Sequence, residues 1–145
     1  MGAELINEFK GKYRFLSNFY KTPVEFEGKL YPSAENAFQA AKSLDGSVRE
    51  KFITLEPNEA KKLGKQIALR PDWETIKPTI MYKILKAKFS DPKMKQLLLS
   101  TNEAILIEGN TWGDTYWGYN IEMGFGSNHL GRLLMRLRME IKKNE

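Results

Sequence analysis

Residues 24–44 restrict this chain more tightly than any other stretch, because two different periodicities meet there without a linker. Val24-Glu25-Phe26-Glu27-Gly28-Lys29-Leu30-Tyr31 alternates apolar and polar residues about Glu27-Gly28, the pattern of a short hairpin. Pro32-Ser33 ends the second strand, and Ser33 is placed to cap a helix running from Ala34 to about Leu44. Projected at 100° per residue, Ala34, Ala37, Ala41 and Leu44 share one side of that helix, with Phe38 at the margin. Such a small-residue face can pack closely against a core.

The remaining pattern is mostly helical. Helices are predicted over Val48–Leu55, Asn58–Ala68, Thr79–Phe89 and Pro92–Leu99, with Pro57, Pro78 and Pro92 in first turns, where a missing N–H costs nothing. Ala104-Ile105-Leu106-Ile107-Glu108 reads as a buried strand. From Ser127 or Asn128 to about Lys143, Leu130, Leu133, Leu134, Leu137 and Ile141 recur on one helical face. Arg132, Arg136, Arg138, Lys142 and Lys143 are expected mostly elsewhere on its surface. Few strands among many helices predict a compact, mostly helical α+β fold with a small β component. At 145 residues it fits a single domain, 1–145, that buries roughly two thirds of its unfolded surface.

Composition removes several alternatives. The chain is 41% hydrophobic and 28% charged, which argues against disorder. No apolar run is long enough to span a bilayer. The start, Met-Gly-Ala-Glu-Leu-Ile-Asn-Glu, carries early acids and no apolar h-region, unlike a signal peptide. With no cysteine there is no disulfide or thiolate site, and with His129 as the sole histidine no histidine metal cluster. No Walker loop, complete GxGxxG or nucleophile elbow is present. The expected location is the cytoplasm. A net charge of +5 and a pI near 9.3 invite nucleic acid as a partner, yet the lysines are scattered among acids as on ordinary solvated helix faces.

Three regions can carry chemistry. On the helix after the hairpin, Glu35, Gln39 and Lys42 fall at i, i+4 and i+7 beside the alanine face. A carboxylate, an amide and an ammonium so aligned can bind a sugar phosphate and manage a proton, although an exposed polar stripe has the same spacing. Glu35 also suits the first turn through the helix dipole alone. The stretch from Gly109 to Gly126 is irregular and glycine-rich, with Trp112, Tyr116, Trp117, Tyr119 and Phe125 around Asp114. It reads either as a surface that stacks a flat ring or as a loop pinned to the core by its tryptophans. The third region, Phe9 to Tyr20, adds Arg14 and Asn18 as polar groups within an aromatic arm; a guanidinium forks well onto phosphate.

Taken together these blocks resemble the NADAR (YbiA-like) domain family from Phe9 to Arg138. The resemblance rests on Phe15-Leu16-Ser17-Asn18-Phe19 and on Tyr31-Pro32-Ser33-Ala34-Glu35-Asn36-Ala37-Phe38-Gln39-Ala40-Ala41-Lys42. It continues through Ala60-Lys61-Lys62-Leu63-Gly64, Trp73, Met81, Lys88-Phe89 and Ile107-Glu108. Trp112-Gly113-Asp114 and Asn128-His129-Leu130-Gly131-Arg132-Leu133-Leu134-Met135 complete it. Order and spacing, rather than any one block, make it specific. The sequence departs from many relatives after Asp114, where Thr115-Tyr116-Trp117-Gly118-Tyr119 replaces smaller residues.

The resemblance implies an N-glycosidase that cleaves ribose, as a phosphate or within ADP-ribose, from a base or amine. Family substrates include a phosphoribosylamino-pyrimidine of riboflavin synthesis and ADP-ribosylated guanine. It implies Glu35, Asp114 and Lys42 as catalytic residues, with Glu35 as principal carboxylate and Asp114 orienting ribose or water. Arg14, Asn18, Phe19, Gln39, Trp112, Glu108 and Asn128 are the implied substrate-binding residues. No cofactor or metal is expected, the partner is a ribosylated molecule or a nucleic-acid base, and DNA contact remains open. A non-catalytic ADP-ribose or NAD sensor and a nucleic-acid-binding module are the alternatives.

Overall fold

The computed structural model describes residues 4–145. Met1-Gly2-Ala3, part of the start read above as unlike a signal peptide, lie outside the described residues. In chain order the elements are β1 (Leu5–Ile6), a 3-10 helix (Gly11–Leu16), β2 (Lys21–Phe26), β3 (Lys29–Ser33) and α1 (Ala34–Ala40). There follow α2 (Gly46–Glu50), α3 (Pro57–Gly64), α4 (Trp73–Lys88), α5 (Pro92–Leu99), β4 (Ile105–Leu106), β5 (Gly109–Asn110), β6 (Tyr119–Asn120) and α6 (His129–Lys143). The fold is α+β and mostly helical, as the patterning predicts. The chain forms two compact units, residues 18–91 and residues 4–17 with 92–145. No described helix is long and apolar enough to cross a membrane.

In the 18–91 unit the hairpin pairs Val24 with Tyr31, Glu25 with Leu30 and Phe26 with Lys29. Glu27 (φ 47°) and Gly28 (φ 87°) are both left-handed, as a two-residue type I′ turn demands. The strands extend beyond the predicted 24–31, and the register shifts between Lys21 and Val24. Pro23 lies in that irregularity, where its missing N–H breaks no ladder bond. Val24, Phe26 and Tyr31 point into the core, and the alternating Leu30 is exposed.

Ser33 caps α1 as predicted, its Oγ accepting from Asn36 N at 3.1 Å. Ala34, Ala37, Ala40 and Ala41 are completely buried, so α1 lies close to the hairpin, α3 and α4. The helix stops at Ala40 rather than near Leu44, tightening into turns through Lys42 N→Gln39 O (3.3 Å) and Ser43 N→Ala40 O (3.1 Å). Leu44 is consequently exposed instead of joining the alanine face. α2 begins earlier than the predicted Val48 because Asp45 is the cap, accepting from Ser47 N at 2.8 Å. α3 ends at Gly64, before the predicted Ala68; Pro57 and a reciprocal Glu56–Glu59 capping box define its start.

The helix predicted over 79–89 begins six residues sooner, with Pro78 inside it rather than in its first turn. An interior proline removes a backbone hydrogen bond and costs on the order of 3 kcal/mol. Burial of Trp73, whose ring lies 5.0 Å from that of Phe38, offsets this cost, and sequence periodicity does not register such a contact.

In the other unit β1 and β4 pair in parallel, Leu5 with Ile105 and Ile6 with Leu106. The strand predicted over 104–108 is only two residues long, and Ile105 is exposed on its open face. α5 matches its predicted span. α6 buries Leu130, Leu134 and Leu137, and Gly131 lets the Leu106 carbonyl approach its backbone. Arg138 departs from the expected surface face. It is buried and donates to Thr101 Oγ1 and the Ala104 carbonyl, both at 2.8 Å, closing the turn before β4. The Gly109–Gly126 stretch is not wholly irregular, since β5 and β6 pair in parallel within it.

Candidate functional site

The polar row on α1 is assembled by backbone first. Glu35 N donates to the Asn18 carbonyl at 2.9 Å, which fixes the first turn of α1 against the segment leading to β2. Asn36, fully buried, donates its amide to the carbonyls of Phe52 and Leu55, each at 2.8 Å, and so ties the same turn to the chain beyond α2. With α1 held on both sides, Glu35 and Gln39 are only 7% and 5% exposed. The stripe is therefore no solvated face. A polar pair withdrawn from water on a helix needs internal partners, and Gln39 Nε2 donates to Glu35 Oε2 at 2.6 Å.

Lys42 completes the row. Its Nζ donates to the Gly64 carbonyl at 3.4 Å, at the end of α3. Burial pushes its ammonium below the ordinary lysine value, opposed by the attraction of Glu35. Asn18 is buried beside Met81, with Nδ2 at 3.5 Å from Sδ, while its Oδ1 has no hydrogen-bond donor. Gln39 Oε1 is likewise a buried acceptor without a donor. Phe19 is half-buried, with Lys61 Nζ 5.8 Å from its ring centre. Asn18, Phe19, Glu35, Gln39 and Lys42 thus belong to one unit, four of them linked through α1 or its anchor.

The predicted residues of the other unit form a second group. Asn128 Oδ1 accepts from Glu108 N, and its Nδ2 donates to the Leu106 carbonyl, each at 2.9 Å. Asn128 therefore clasps the end of β4 to the start of α6, in the left-handed conformation that asparagine tolerates. Asp114 Oδ1 accepts from the backbone of Tyr116 (3.2 Å) and Trp117 (3.0 Å), so this carboxylate organises its own loop. Asn110 gathers the surroundings, donating to Glu108 Oε2 at 3.0 Å and to the Asp114 carbonyl at 2.9 Å. Gly118 leaves room for both Glu108 and Asn110; a Cβ there would overlap them. The carbonyls of Tyr116 and Trp117 accept from His129 N and Leu130 N, so the loop serves the first two N–H groups of α6, whose N-cap makes no side-chain hydrogen bond. Trp112 is 60% exposed, so it does not pin the loop to the core. Arg14 is exposed on the 3-10 helix.

Sequence reasoning gave no role to Asn110, Gly64 or Lys88. Asn110 leaves no local signal, because its partners are set by the loop's tertiary path. Gly64 and Lys88 stood within the recurring blocks, but nothing local marks the first as a steric window or the second as fully buried.

A mostly helical α+β chain that buries a Glu–Gln pair on the helix after a hairpin, with a half-buried lysine in the turn that follows, defines a class. The NADAR domain model matches residues 6–142, and the chain belongs to the NADAR family. It is 40% identical over 133 residues to the N-glycosidase YbiA of Escherichia coli, spanning 89% of this chain and 82% of that protein. The NMR structure of E. coli YbiA superposes with a TM-score of 0.86 at 37% identity, covering 99% of this chain and 88% of that one. A riboflavin biosynthesis protein of Vibrio vulnificus is 33% identical over 134 residues; the match spans 90% of this chain but 36% of that protein.

Proposed function

We propose that this chain is a hydrolase of N-glycosidic bonds, cleaving ribose C1 from the nitrogen of a base or amine, with Glu35 as the principal carboxylate. The observation that carries the reading is the near-complete burial of Glu35 beside an amide donor at 2.6 Å and within the field of Lys42. Membership of a family with a named N-glycosidase supports it.

As the C1–N bond lengthens, positive charge spreads over C1 and the ring oxygen. A carboxylate fixed in a site withdrawn from water stabilises that charge without reorganising. Water then adds to C1 and loses a proton to Glu35, and that proton passes on to the departed nitrogen. Glu35 is again ionised, and the water's two hydrogens end on the ribose hydroxyl and the freed amine. Gln39 holds the carboxylate against rotation. Lys42 binds phosphate. For Arg14, Trp112 and Asp114, which belong to the other unit, the family resemblance supports phosphate binding, stacking on the leaving base and orientation of ribose or water, respectively. Asn18 and Phe19 line the substrate beside α1, and the family resemblance gives Glu108 and Asn128 a binding role.

Phosphoribosylated pyrimidine amines are the substrate class favoured by the riboflavin biosynthesis proteins among the relatives. ADP-ribosylated guanine is the second, and a DNA contact would accompany it. Purified protein offered both classes, with NAD and ADP-ribose, and followed by mass spectrometry for release of the base decides between them. Glu35→Gln abolishes turnover while the chain remains folded; wild-type rates in that variant would sink the assignment.

A further inference from the structure

We infer that Gly64 is a positioning residue for the Glu35 carboxylate and acts through Gln39. The inference rests on Glu35 being the reactive group. A Cβ built on Gly64 would stand 2.7 Å from Gln39 Cδ and 3.2 Å from its Cβ, and would overlap Oε1 outright. The amide of Gln39 has two unlike ends. Its NH2 donates to Glu35 only while its oxygen lies in the space that a side chain at position 64 would fill. The Gly64 carbonyl also receives Lys42 Nζ. The whole Glu35–Gln39–Lys42 row is therefore keyed to one residue at the end of α3.

A glycine in a helix's last turn is usually there to let the chain leave in the left-handed conformation. That need is absent here. Gly64 does not adopt a left-handed φ, and the following cap, Lys65, has φ −79° and ψ −14°. Alanine would suit this backbone better than glycine does. What the glycine supplies is room, and the group occupying that room is the amide that faces Glu35. α3 itself is held by its capping box and Pro57, so it does not yield freely to a larger residue.

The test compares wild type, Gly64→Ala, Gln39→Ala and the double variant. One readout is the NMR titration of the Glu35 side-chain carboxyl carbon; the other is the pH profile of kcat and kcat/KM on a phosphoribosylated pyrimidine amine. Gly64→Ala is expected to fold cooperatively and to move the Glu35 titration upward, because the ionised form loses a donor. It lowers kcat about tenfold or more, the scale of one hydrogen bond to a charged group. In the Gln39→Ala background the same substitution adds no further loss and no further shift. A wild-type titration and wild-type kcat in Gly64→Ala, or losses that simply add in the double variant, overturn the inference. If Gly64→Ala does not fold, the double variant folds when Gln39 is the constraint and fails when Gly64 is needed for another reason. A wild-type chain inactive on every ribosylated substrate refutes the proposed function, and the Glu35 titration then decides the role of Gly64 by itself.

Discussion

Lys88 offers a quantitative test of how firmly the 18–91 unit excludes water. It occupies the last turn of α4 and is 0% exposed, with Nζ 5.9 Å from the ring centre of Tyr20 and 5.1 Å from that of Phe89. Burial pushes its ammonium down to about 7 from 10.5. The folded-state value lies below the unfolded one, so between about pH 7 and pH 10.5 the unfolded chain holds a proton that the folded chain has released. Stability must therefore rise with pH across that window, by up to about 1.4 kcal/mol per pH unit for one proton. Summed over the window the change is at most about 5 kcal/mol. Below the folded value the full cost of burying the charge is present; above the unfolded value it has vanished. Lys88→Met keeps an unbranched chain of similar volume and removes the titration. Urea unfolding of both proteins across the window isolates this one group, since all other ionisations are shared. Between about pH 7.5 and pH 9.5 the wild type should gain about 1 kcal/mol per pH unit relative to the variant. Parallel curves would show that the ammonium is not desolvated as its burial implies.

Two further predictions concern the loop from Glu108 to Asn120. Asp114→Asn keeps an oxygen for the Tyr116 and Trp117 N–H groups and should unfold like wild type, whereas Asp114→Ala loses about 1 kcal/mol. If the carboxylate orients ribose or water, both variants lose kcat; equal kcat in Asp114→Asn and wild type would confine Asp114 to its loop role. Trp112→Ala, at an exposed position, should change stability by less than about 0.5 kcal/mol. Stacking on a base predicts a rise in KM of about tenfold, and an unchanged KM would remove Trp112 from the site.

Local chemistry made much of the molecule legible. The two-residue turn at Glu27-Gly28, the Ser33 cap and the leucine face of α6 each follow from interactions within a few residues, and each is found as expected. Glu35, Gln39 and Lys42 were legible as a spacing, because i, i+4 and i+7 is a property of any helix, although the helix ends before Lys42. That spacing left open whether the row faces water. Burial decides it, and burial arises from the carbonyls of Asn18, Phe52 and Leu55, which meet α1 from outside the helix. The same limit explains Pro78, kept inside α4 by the burial of Trp73, and Arg138, drawn off the basic face by Thr101 and Ala104.

By itself, then, the amino-acid sequence determined which stretches carry helices and the hairpin, though not where each helix ends. It also determined which residue types share a helical spacing after the hairpin, and the family to which the chain belongs. Periodicity, capping and turn conformation depend on near neighbours in the chain, so the string of residues contains them. Only the tertiary structure decided that Glu35 and Gln39 are withdrawn from water, that Gly64 leaves space for the Gln39 amide, and that Lys88 is enclosed. Desolvation and steric exclusion depend on atoms distant in sequence, and those atoms come together only when the chain packs.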